Sequence, residues 1–173
     1  KELANMHWAT TRGGPPDRKL ILAFDHRNQL EDLARSTNKS LSHINRFKEL
    51  CLASVLKVAD GKEGFGIICD DKLGRSALHE ASNYNLWIAR PAETPKSWPI
   101  TYAEDVGESC DGLAEWPKNH TVKALCYYHP RDPEEIKFEQ ERRLKILFNA
   151  ARRNDLDILL EVIVSKDHKF KNQ

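Results

Sequence analysis

Five nearly continuous apolar runs of strand length, each separated from the next by a longer segment, constrain this chain more than any other feature of its sequence. They cover residues 19–24, 64–69, 86–89, 122–128 and 157–164. Strands that alternate apolar and polar residues have one wet face, whereas continuous apolar strands are covered on both faces, the habit of parallel sheets. The spacers carry helical patterns. Ser40 is placed to cap a helix whose stripe is Ile44, Phe47, Cys51, Val55 and Val58, ending near Gly61. Asp132 is placed to cap a second helix with Pro133 at its first position, Glu134 and Glu135 suited to its N-terminal dipole and Leu144, Leu147 and Ala151 as its stripe. Repeated strand–helix–strand order predicts an α/β fold with a parallel sheet, open or closed into a barrel. Residues 91–118 break the pattern with a Pro- and acid-rich excursion that carries Trp98 and Trp116.

Composition narrows the function classes. Lys+Arg number 27 against Asp+Glu 26, so no charge excess points to nucleic acid. No apolar run approaches the roughly 20 residues of a membrane span, and the polar N-terminus lacks a signal-peptide core, so a soluble, cytoplasmic protein is expected. Cys51, Cys69, Cys110 and Cys126 form no CxxC pair and read as reduced core thiols. Residues 1–18, which contain Gly13, Gly14, Pro15 and Pro16, read as a linker, leaving 19–173 as the folded unit.

In parallel α/β folds, ligand-binding and catalytic groups gather at the carboxyl ends of the strands. Those ends supply Asp25-His26-Arg27, Asp70-Asp71, Arg90 and Glu93, Tyr128-His129, and Ser165-Lys166. The first set follows LILAF directly, where an unpaired buried charge would cost several kcal/mol. Two charges lie within strands. Lys123 is flanked by Val122 and Ala124, and Glu161 has three apolar residues on either side. A lysine turned inward can stabilise negative charge or act as a nucleophile, and a glutamate there suits acid–base work. The plainer alternatives are a snorkelling stem for Lys123, a structural ion pair for Glu161 and a simple turn at Asp70-Asp71. His43, His79 and His120 read as surface residues, as do the charges at Glu141–Arg143 and Arg152–Arg153. There is neither a GxxxxGK[ST] nor a GxGxxG phosphate motif.

Four blocks, FDHR, IICDDKLGRSAL, VKALCYYHP and ILLEVIVSK, occur in that order and resemble the DUF2090 family, the aldolase-like domain fused behind sugar kinases of the 5-dehydro-2-deoxygluconokinase type. The resemblance spans most of residues 19–166, and MHWATTRGGPP resembles the segment that joins the kinase to this domain. It implies a TIM (β/α)8 barrel of the class I aldolase type, of which this chain would hold the first five strands, in a protein of myo-inositol catabolism with a kinase domain as partner. Glu161, Lys123 and Asp25 would then be catalytic, and His26, Arg27, Asp70, Asp71, Arg90, Tyr128, His129 and Lys166 would bind substrate, with no metal or cofactor. The implied reaction is cleavage of 2-deoxy-5-keto-gluconate 6-phosphate through a Schiff base to a sixth-strand lysine that lies beyond this chain. A longer protein is therefore expected, because an unfinished barrel leaves a strand edge that needs further strands or a homo-oligomer to cover it. Two alternatives stand beside this reading: a non-catalytic sugar-phosphate-binding or regulatory domain of a carbohydrate kinase, and a metal-dependent lyase using Asp25, His26, Asp70 and Glu161.

Overall fold

A computed structural model describes residues 19–164. The 1–18 linker and Lys166 lie outside them. The elements in chain order are β1 (Leu20–Ala23), α1 (Asn28–Ser36), α2 (Leu41–Ala59), β2 (Phe65–Ile68), α3 (Asp71–Ala81), β3 (Trp87–Pro91), a short 3-10 helix (Asp111–Glu115), β4 (His120–Tyr127), α4 (Glu134–Arg153) and β5 (Asp157–Ile163). All five anticipated strands are present within a residue or two at each end.

The strands form one parallel sheet in the order β1-β2-β3-β4-β5. That order never reverses. Right-handed crossovers therefore place the connections on the same side of the sheet, as in a barrel and unlike a doubly wound fold. The sheet also curls. β1 and β4 are three strand spacings apart, about 14 Å if the sheet were flat, and side chains standing perpendicular to a flat sheet could not meet across it. Yet Lys123 Nζ on β4 lies 3.0 Å from Asp25 Oδ2 just after β1. The result is a curled five-stranded half-barrel, compatible with part of a TIM-like barrel, with helices outside and a concave inner face.

Side-chain alternation explains the two faces. Register pairs Ala23, Ile68, Ala89, Thr121 and Asp157 across the sheet, and on this inward row the alternation continues to Asp25, Glu93, Lys123 and Glu161. Gly66 sits beside Trp87, where a Cβ would fall 2.6 Å from the Trp87 carbonyl oxygen, so a larger residue would push the two strands apart. The outward residues build the core. Ile67, Cys69 and Ile88 pack on Leu52 and Val55 of α2 and Ala77, Leu78 and Ala81 of α3. Val122, Ala124 and Cys126 pack on Leu147, Ala150 and Ala151 of α4. Each fully buried aliphatic side chain contributes about 1.5–3 kcal/mol. The 91–118 excursion joins this second cluster through Ile100, Val106, Cys110, Leu113 and Trp116, so it covers the outer face where an α-helix would otherwise lie. All four cysteines are free, and all but Cys51 are buried.

Three sequence expectations need correction. The buried face of α2 is Ile44, Lys48, Leu52, Val55 and Ala59, while Phe47 and Val58 are exposed; the helix is rotated so that Lys48 can pair with Asp70. Asp132 does not cap α4, because its carboxylate accepts the His129 N–H at 2.7 Å and Pro133 takes the cap position. His120 is not a surface residue. It is 4% exposed, with neither ring nitrogen hydrogen-bonded. Among the described residues, no helix is long and apolar enough to cross a membrane.

Candidate functional site

Strand alternation carries Asp25, Glu93, Lys123 and Glu161 to the inner face near the carboxyl end of the sheet. Lys123 shares register with Pro91, and Glu93 lies two residues further along the same inward row. Glu161 is paired with Leu125 on the neighbouring strand. The Lys123 ammonium is the hub: it lies 3.0 Å from Asp25 Oδ2, 3.3 Å from Glu161 Oε2 and 3.9 Å from Glu93 Oε1. Its side chain is only 6% exposed, which excludes a snorkelling stem. Glu161 does make the inter-strand ion pair expected of a structural residue, but its side chain is 52% exposed and lines the cavity.

Glu93 closes the back of the cluster. Its Oε1 accepts from Arg27 Nη2 at 2.6 Å, its carbonyl accepts from Arg27 Nη1 at 2.8 Å, and its Oε2 accepts the Leu125 N–H at 3.2 Å. The last bond exists because β3 has already turned away, leaving that β4 amide without a strand partner. Burial pushes the Glu93 carboxyl above the usual carboxylate range, against the pull of Lys123 and Arg27. For Lys123, burial acts to lower the pKa, but Glu93, Asp25 and Glu161 outweigh it and hold the ammonium above the ordinary lysine range. Lys123 is thus a fixed cation, a stabiliser of negative charge and not a free amine nucleophile.

Asp25, His26, Arg27, Glu93, Lys123 and Glu161 line a cavity of about 340 Å³. Three cations, Arg27, Lys96 and Lys123, and three carboxylates line it, and with Arg27 and Lys123 already paired to those carboxylates the balance suits hydroxyl groups better than a phosphate dianion. The other expected residues lie elsewhere. Asp70 forms an ion pair with Lys48, both wholly buried, and accepts the Leu73 N–H at 2.7 Å, so it caps α3 and does not form a bare turn. Asp71 bonds Arg75 in the first turns of that helix. Arg90 points to the outer face, with its guanidinium 4.1 Å above the Trp116 ring, and burial pulls its pKa down. Tyr128 donates to Glu141 at 2.6 Å, and His129 Nδ1 accepts the Arg131 N–H at 3.0 Å; neither lines the cavity. Among the described residues, no three His, Cys, Asp or Glu side chains are grouped as a metal site requires.

The site residues left out of the sequence-based set are Glu93 and Lys48. Glu93 is named among the strand ends, and continuing the inward parity 87, 89, 91 would have singled it out over Arg90. Lys48 carries no such signal, since a lysine in an amphipathic helix ordinarily faces water. It donates to the His26 carbonyl at 3.1 Å as well as pairing with Asp70, and so ties the loop after β1 to the loop after β2.

Fold and site together define a β/α half-barrel protein with a charged polar cluster at its carboxyl mouth. The family model described as "Uncharacterized protein conserved in bacteria (DUF2090)" matches residues 1–173, and the chain belongs to that family. No curated protein matches it.

Proposed function

We propose that this is an aldolase-like domain, of the class I type, that acts on a phosphorylated keto-sugar. The observation that carries the reading is the Lys123 ammonium held among Asp25, Glu93 and Glu161 in an open cavity. In this reading a lysine outside the described residues forms the Schiff base. Glu161, half exposed and beside the substrate space, takes the proton from the hydroxyl on the carbon β to the iminium carbon, and that carbon leaves as the aldehyde when its bond to the α carbon breaks. The C–C bond breaks, its electron pair flows into the iminium to give an enamine, and the proton is returned to the enamine carbon before hydrolysis releases the ketone. Lys123 offsets the charge that develops on oxygen, and Asp25 accepts hydrogen bonds from substrate hydroxyls. The phosphate would be held away from this acidic cluster. The substrate that the resemblance suggests, 2-deoxy-5-keto-gluconate 6-phosphate, would give dihydroxyacetone phosphate and malonate semialdehyde.

The test is borohydride reduction of the gene product in the presence of the keto-sugar phosphate, followed by intact-mass measurement and peptide mapping. The reading predicts one reduced adduct on a lysine other than Lys123. A second reading, a non-catalytic sugar-phosphate-binding domain of a kinase, draws on the same charged Lys123, which needs no chemistry to anchor a ligand. It predicts no adduct, and turnover at background in the wild-type protein as in Glu161→Gln.

A further inference from the structure

Beside the Lys123 cavity, and sharing Arg27 with it, lies a second cavity of about 590 Å³. It opens between the N-terminal turn of α3 and residues 103–105 of the excursion. Its feature is Arg90. This side chain is 13% exposed, its Nε is buried without a partner, and its guanidinium donates no hydrogen bond among the described residues. It rests on the face of Trp116 at 4.1 Å, which fixes the plane of the fork. Two carboxylates approach Arg90 Nη2, Asp71 Oδ2 at 3.9 Å and Asp105 Oδ2 at 4.0 Å.

Those separations are too long for direct hydrogen bonds, which close at about 2.9 Å. They are short enough for one oxygen to sit at hydrogen-bond distance from both groups. Such an oxygen must accept from the guanidinium and donate to the carboxylate, which a hydroxyl does and a phosphate or carboxylate ligand does not. The charge around the cavity agrees. Its lining carries four basic and four acidic side chains, and the other three cations are already engaged: Arg75 with Asp71, Lys72 with Glu31 and Arg27 with Glu93. A dianion would find no excess positive charge there.

We propose that this cavity is a second binding site, for a vicinal diol of a sugar or polyol, with one hydroxyl bridging Arg90 to Asp71 and its neighbour bridging Arg90 to Asp105. The site involves no step of the proposed cleavage and stands apart from it.

Sorbitol is the probe and inorganic phosphate the comparison, each titrated into the full chain while the Trp116 indole and Arg90 guanidinium resonances are followed by NMR. The expected result is a saturable shift of both by sorbitol, retained in Glu161→Gln. Asp105 is exposed, so Asp105→Asn tests the contact without threatening the fold, and binding should weaken about tenfold with the loss of one charge-assisted hydrogen bond. Arg90→Met should abolish it. The proposal is overturned by the absence of a saturable shift, by equal affinity in Asp105→Asn, or by phosphate shifting these resonances at lower concentration than sorbitol.

Discussion

The pair Lys48–Asp70 gives the sharpest stability prediction in the molecule. Lys48 is 0% and the Asp70 side chain 2% exposed, so water does little to screen either charge. Lys48→Met keeps the length and apolar volume of the stem but leaves a carboxylate buried without its cation. Removing one partner of a buried pair costs about 3–5 kcal/mol, and the near-complete burial here places this variant within that range. Asp70→Asn keeps an oxygen that can accept the Leu73 N–H, so the α3 cap survives while the charge goes. The double variant carries neither orphan charge and should lose about 1–2 kcal/mol, less than either single variant. Urea unfolding followed by tryptophan fluorescence measures all four corners of the cycle. Losses that simply add, or a Lys48→Met variant within about 0.5 kcal/mol of wild type, would refute the argument that this pair is a closed electrostatic unit.

Other perturbations test the site and the core. His120 is buried beside Arg90, and its pKa is pulled down to about 4 by burial and by that cation. The unfolded state then binds the extra proton between about 6.5 and 4, so stability should fall as pH drops through that window, by at most about 3 kcal/mol; His120→Leu should flatten this limb and leave stability at pH 7 unchanged or higher, as thermal unfolding against pH would reveal. Lys123 is held above the ordinary lysine value, so its contribution is present through pH 10.5 and is lost only above that; an alkaline limb that begins well below pH 10 would contradict the geometry. Glu93 shows the same sense in the acid range, since burial raises its pKa and the folded state holds its proton more tightly above 4.5. Stability from this group should decline as pH rises through that interval, and Glu93→Gln should remove the decline while releasing Arg27.

The sequence made the sheet legible because continuous apolar runs report burial on both faces, and it made the strand ends legible because loops leave a parallel sheet on a common side. It also isolated Asp25, Lys123 and Glu161, since charges within or directly after such runs are costly unless they meet. What it missed depends on rotation and pairing. The stripe Ile44, Phe47, Cys51, Val55 and Val58 has the right period, but only tertiary contact with Asp70 decides that α2 turns Lys48 inward. Arg90 sits at a strand end like the rest, and alternation sends it to the outer face; Glu93 belongs to the inward row but follows the last strand residue, where apolar patterning stops. His120 looks like a loop residue because Pro117 and Asn119 precede it, yet it pairs in register with Ile88 inside the sheet.

Glu161 separates a functional cluster from a structural one. At 52% exposure and 3.3 Å from Lys123, it should contribute little to stability, as partly exposed ion pairs do, at most about 1 kcal/mol. The most direct measurement is therefore calorimetric titration of the keto-sugar phosphate into wild type and Glu161→Gln, with turnover and thermal unfolding recorded on the same samples. The account predicts unfolding within about 1 kcal/mol of wild type while turnover falls at least a hundredfold, the scale of a lost acid–base group. Unchanged turnover and affinity in a stably folded Glu161→Gln protein would contradict it.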